Sequence, residues 1–144
     1  MGSIDILFPV MALIGWTFLV LLLIPIVRTK EISAGRLSPK DFAGAESERV
    51  SMRVSLPNRN YMNLLEMPVI FYVLCVIAFV AGQANDLMVA IAWVFVALRI
   101  VHSIIHLTFN RVFIRFLVFL VAKAALIALW GLLLISLIEA RGAI

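Results

Sequence analysis

Four stretches of the chain are almost purely apolar, and its polar residues fall between them or in a few regular rows inside them. The stretches run over about 4–27, 60–82, 86–109 and 112–138, and each reaches the ~20 residues a helix needs to cross a hydrocarbon core. None shows apolar–polar alternation. The pattern therefore predicts helices, which satisfy every backbone polar group within the segment. The connections are a polar segment at 28–59, a turn from Gly82 to Asp86, and a turn around Asn110 and Arg111. Ser, Gly and Pro in the first connection predict an irregular start, followed by a short surface helix over 45–53. Pro57 is expected ahead of the second span's first turn, and Pro25 at the close of the first span. Pro68 falls inside the second span, where it frees the carbonyl of Leu64 and bends the helix past Glu66. Short turns join antiparallel neighbours, so the expected fold is all-α: an integral membrane up-down four-helix bundle in which residues 1–144 form one domain.

Composition agrees. The chain has 144 residues, 65% of them hydrophobic, and a mean hydropathy of +1.15, which excludes an ordinary soluble domain. The first span has no basic n-region, is too long for an h-region and precedes no small-x-small site, so it reads as a span and not as a cleavable signal. A single cysteine, Cys75, excludes an internal disulfide, and its apolar neighbours point to packing. The net charge of +4 carries no nucleic-acid signature. Its distribution is more informative. Arg28, Lys30, Arg36, Lys40, Arg49, Arg53 and Arg59 lie in or beside the first connection, Arg111 and Arg115 flank the third, and the second has no cation. The positive-inside rule then places both basic connections in the cytoplasm and both termini on the non-cytoplasmic side.

The polar residues inside the spans form rows. Arg59, Asn63 and Glu66 are spaced i, i+4, i+7 and fall within about 60° of one another on a helix. Arg99, Ser103, His106 and Asn110 make a second row at i, i+4, i+7, i+11, with His102 on its shoulder. Arg99 sits about 16 Å and Glu66 about 10 Å from the basic end, so the two are expected to pair, because an unpaired ion in hydrocarbon is costly. Such residues also serve as structural glue between helices, and Lys123 in the fourth span reads first as structural or as facing a subunit interface. Clustering favours a site: Arg59, Asn63, Glu66, His106, Asn110, Arg111 and Arg115 all lie near one membrane face. Arginines and an amide suit a small anionic, peptide-like ligand, while an apolar co-substrate can arrive from lipid. The spacing of His102 and His106 suits zinc, but no third ligand completes a metal site.

Arg59-x-x-x-Asn63-x-x-Glu66 followed by Pro68 resembles the second-helix signature of the MAPEG family (membrane-associated proteins in eicosanoid and glutathione metabolism). Arg99-Ile-Val-His102-Ser103-Ile-Ile-His106 and Asn110-Arg111-Val-Phe-Ile-Arg115 resemble its third and fourth helices, most closely in the prostaglandin E synthase branch and in uncharacterised bacterial members. The resemblance implies a homotrimer in a bacterial inner membrane, with glutathione as co-substrate between subunits near the cytoplasmic face. By that resemblance Arg59, Asn63 and Glu66 hold the tripeptide's polar groups, and Arg28 reaches one of its carboxylates. Arg115, or failing it Arg111, stabilises the thiolate. His106 stands where many members have a Tyr that contacts the ligand, and is read as catalytic with Arg115; Arg99 and Arg111 join the glutathione-binding set as cations of the cluster. Two further departures are Ser55-Leu56 in place of a Glu-Arg pair and Phe116 in place of a Ser.

The expected function is thus a glutathione-dependent transferase or peroxidase acting on lipophilic electrophiles, with glutathione, a lipophilic molecule and membrane lipids as partners and no nucleic acid. The alternative is a non-catalytic lipid-binding or scaffold member of the same family. A small transporter fits less well, because its site belongs near the midplane and this cluster is one-sided.

Overall fold

The computed structural model describes residues 3–44 and 46–142. Four helices, α1 (Leu7–Ser33), α2 (Met52–Val80), α3 (Asp86–Leu107) and α4 (Val112–Gly142), run up and down with no strand among the described residues. All four are long and apolar enough to cross a membrane, so the chain is an all-α, four-helix integral membrane protein. A 3-10 turn at Ile4–Ile6 leads into α1, and a second at Pro39–Phe42 interrupts the long connection to α2.

Local chemistry sets the tight turn between α2 and α3. Gly82 takes φ +69°, a left-handed value that costs glycine little. Its N–H donates to Phe79 O at 3.1 Å and that of Gln83 to Ala78 O at 2.9 Å, closing the carbonyl end of α2. Asn85 then caps α3, its side-chain oxygen accepting from Met88 N at 3.0 Å.

Three boundary expectations are corrected. Pro25 lies within α1, which continues to Ser33 and carries Arg28 and Lys30 on helix. Pro57 lies within α2, five residues past its first residue. A proline removes one ladder bond, and neighbouring helices support the helix through that loss. The surface helix expected over 45–53 does not form. Ala45 lies outside the described residues, 46–51 are turn and irregular, and Met52 and Arg53 already belong to α2. The helical turn is instead at Pro39–Phe42, where the backbone N–H and hydroxyl of Ser38 both donate to Asp41 Oδ2, at 2.8 and 3.1 Å.

α3 packs most extensively on α4, and α1 on α2, while α2 touches α4 only slightly and α1 and α4 touch least. At the centre the rings of Phe71 and Phe95 stack with centroids 4.6 Å apart. Ala78, Ala92 and Ala122 are fully buried; small residues let backbones approach where lipid supplies no hydrophobic drive. Large apolar side chains such as Phe18, Leu22, Ile127 and Ile138 point outward, as a lipid-facing surface requires.

Candidate functional site: a cleft at the basic end of the bundle

The turn between α3 and α4 positions the first functional cation. Asn110 adopts φ +44°, a conformation Asn tolerates better than most residues, and its N–H donates to Ile105 O at 2.8 Å. Its side-chain oxygen accepts from Arg115 Nη1 at 2.7 Å. Arg115, in the first turn of α4, is thereby aimed back toward α3. With Asn63 of α2, His102 of α3, and Val112, Phe116 and Phe119 of α4, it lines a cavity of about 190 Å³.

Arg99 lies deeper and is 1% exposed. Its Nη2 donates to the backbone oxygen of Asn63 at 2.6 Å, and its guanidinium carbon is 5.9 Å from the Phe119 ring centroid. Nε and Nη1 have no partner among the described residues. The expected Glu66–Arg99 pair does not form: the ion pairs among the described residues do not include it, and Glu66 is exposed. The reason is helical phase. Leu64 and Pro68 define the inward face of α2, and Glu66, two residues from each, stands about 160° around the helix from both. The arginine finds a backbone carbonyl instead.

The remaining members of the two polar rows divide. His102 and His106 are both buried, with ring centroids 6.2 Å apart, and His106 Nδ1 has no partner among the described residues. The cavity wall takes His102, whereas the sequence pattern singled out His106. Ser103 is fully buried and accepts from Trp16 Nε1 at 2.9 Å and from Asn60 Nδ2 at 2.5 Å, tying α1, α2 and α3 together. Asn60 and Trp16 escaped the sequence reading. Asn60 had a legible signal, since it is in phase with the buried Leu64, Pro68, Phe71 and Cys75. Arg59 and Arg111 are exposed at the surface.

Arg28 is held elsewhere. Its Nη2 is 3.0 Å from Glu46 Oε1, its guanidinium stacks 4.6 Å over Phe42, and Ser55 Oγ donates to Glu46 Oε2 at 2.6 Å. The same connection contains a hub at Asp41, which also accepts from Ser47 Oγ at 2.8 Å and lies 3.8 Å from Arg49 Nη1. The Ser38 backbone N–H first, then the Ser47 hydroxyl, holds the Asp41 carboxyl below the usual aspartate range. The chain therefore brings Asn63, His102 and Arg115 onto one cleft with Arg99 behind it. Arg59, Glu66 and Arg111 remain on outward faces, and Arg28, near the end of α1, stays paired with Glu46 of the connection.

Among the described residues no group of three or more His, Cys, Asp or Glu side chains is placed to hold a metal ion. No curated protein and no solved structure matches the chain. The family model described as MAPEG family matches residues 6–135, which span all of α2 and α3 and every residue of the cleft, and the chain belongs to the MAPEG family.

Proposed function

We propose that this protein is a membrane-bound glutathione-dependent transferase or peroxidase acting on lipophilic electrophiles. One observation carries the reading: an arginine fixed by a turn asparagine, an amide and a histidine converge on a single cleft at the basic end of the bundle. Arg115 cannot lose its charge, so it favours the thiolate over the thiol at neutral pH and serves as electrostatic stabiliser. Asn63 offers donor and acceptor to a peptide amide. Arg99, buried behind the cleft with Nε and Nη1 unpartnered among the described residues, adds positive charge to it, and His102 on the wall, with His106 beside it, offers an imidazole to hydrogen-bond at the reacting end. In the transferase reaction the sulfur forms a bond to an electrophilic carbon as the leaving group departs with its electron pair. In the peroxidase reaction it attacks a peroxide oxygen as the O–O bond breaks and the alcohol leaves.

The cleft also bears on assembly. Small-molecule sites enclose about 300–1,000 Å³, and 190 Å³ holds only part of a tripeptide. Arg59, Glu66 and Arg111, outward-facing on the protomer, complete the site in a homotrimer, where Arg28 of an adjoining subunit exchanges Glu46 for a ligand carboxylate. The abundance of cations at this end supports a mouth that opens to the cytoplasm, with both termini on the far side of a bacterial inner membrane. Residues 1–144 then act as one domain.

The test uses detergent-purified protein. Reduced glutathione should raise the melting temperature, and the protein should conjugate glutathione to a chlorinated nitrobenzene at a rate that falls at least tenfold in Arg115→Ala. Absence of both binding and conjugation across several electrophiles overturns the reading. Binding without conjugation supports instead the non-catalytic member of the family.

A further inference from the structure

Two charged side chains stand in apolar segments with nothing in their own chain to answer them. Lys123 is the only acidic or basic residue between Arg115 and Glu139, and Glu66 the only one between Arg59 and Asp86. Both are exposed, and neither belongs to an ion pair among the described residues. A charge left unanswered against hydrocarbon is costly.

The two stand at one depth. Arg99 Nη2 donates to Asn63 O at 2.6 Å, and its guanidinium carbon is 5.9 Å from the Phe119 ring centroid. Lys123 Nζ is 4.4 Å from that same centroid. The Lys123 ammonium is therefore level with the Asn63 turn of α2, and Glu66 begins about 4.5 Å further along that helix. The same pattern follows each residue. Ile70, Val73 and Ile77 succeed Glu66 at i+4, i+7 and i+11, and Ile127, Trp130 and Leu134 succeed Lys123 at the same intervals; all six are exposed. In an up-down bundle α2 and α4 run in the same direction. One row can thus lie along the other in register, acid on base and apolar on apolar. Within one chain a groove of about 400 Å³ separates the two helices.

We propose that Lys123 of one copy pairs with Glu66 of the partner subunit, with the exposed row of α4 seated against the exposed row of α2 on the next copy. The two patches differ, so the contact is head-to-tail and closes as a ring about the membrane normal. Register then bears on the cleft. Arg59 precedes Glu66 by seven residues, and Arg115 precedes Lys123 by eight. The pairing brings the partner's Arg59 level with Arg115, a second cation at the mouth. The pairing rests on the homotrimer named above but not on its glutathione chemistry. As a contact between subunits, it adds nothing to the unfolding of a separated protomer.

The test is sedimentation in dodecyl maltoside over a dilution series, without glutathione. Glu66→Lys alone and Lys123→Glu alone each set like charges face to face, and each should weaken association at least tenfold. Co-expressing these two variants as differently tagged chains should restore the larger species and carry one tag with the other. Reversals that leave association unchanged overturn the proposal. So does a rescue seen when both reversals share one chain but not in the co-expressed mixture, because it would mark a pair within the chain. Neutral variants cover the case in which a reversed charge blocks folding. Glu66→Gln and Lys123→Met each strand one charge, while the double variant strands none. The double should associate at least as tightly as either single, and additive losses overturn the pairing.

Discussion

Replacing Arg99 by Met should leave the ligand-free protein as stable as before, or make it more stable. Arg99 is 1% exposed, donates one hydrogen bond to the Asn63 carbonyl and leaves two donor nitrogens, Nε and Nη1, unmet among the described residues. The bond to a charged donor is worth about 2 kcal/mol, and each unmet buried donor costs about 1–3 kcal/mol. The balance favours removal by on the order of 2 kcal/mol. Asn63 O is not orphaned by the change, because Met67, four residues on, carries an N–H, as Pro68 does not. Methionine fills a similar volume without a polar atom. The assay is reversible unfolding in mixed dodecyl maltoside–SDS micelles, with the transition midpoint as readout. Glu66→Gln, on an outward face, should shift the midpoint by less than about 0.5 kcal/mol. The double variant should equal the sum of the two singles within about 0.5 kcal/mol. A loss above about 1 kcal/mol in Arg99→Met, or strong coupling between the two positions, would refute the argument and restore a buried ion pair.

Three other outcomes follow from the geometry. Asn110→Gly keeps the left-handed turn and deletes the acceptor for Arg115; conjugation kcat/KM should fall about tenfold, the worth of one charged hydrogen bond, with the melting temperature little changed, and an unaltered rate would show that Arg115 needs no support. Ser103→Ala strips the acceptor from Trp16 and Asn60; interhelical bonds in membranes average about 0.6 kcal/mol, so a loss near 1 kcal/mol is expected in the same micelle titration, and no loss would mean both donors find other partners. The Asp41 carboxyl titrates below its ordinary value when folded, so its contribution is fully present above about pH 4, the unfolded value, and is lost as pH falls through the folded one. Stability measured from pH 7 to pH 3 should therefore decline less in Asp41→Asn than in the wild type, and parallel declines would contradict the hub.

Much of the fold was legible because a bilayer leaves few options. Runs of some twenty apolar residues must become helices, and short turns such as Gly82–Asp86 must make antiparallel neighbours. The rows at Arg99, Ser103, His106 and Asn110 were readable for the same reason, since helical spacing is local. The long connection was less so. Its hub at Asp41 rests on hydrogen bonds from Ser38 and Ser47 and an ion pair with Arg49, brought in from both sides, and nothing in their spacing announced that the three residues would meet one carboxylate. Glu46 as the partner of Arg28, eighteen residues away, was equally silent.

Composition and a fixed rotation per residue were enough to set the four spans, the concentration of cations at one end, and the helix on which each polar side chain rides. Tertiary structure alone decided which of those side chains meet. Charge pointed Arg99 at Glu66, but the phase of the buried row Asn60, Leu64, Pro68 and Phe71 turned Glu66 outward and gave Arg99 a backbone oxygen instead. Attraction between charges acts at a distance, while the rotation of a helix is set by how its apolar face packs; where the two conflicted in α2, packing prevailed.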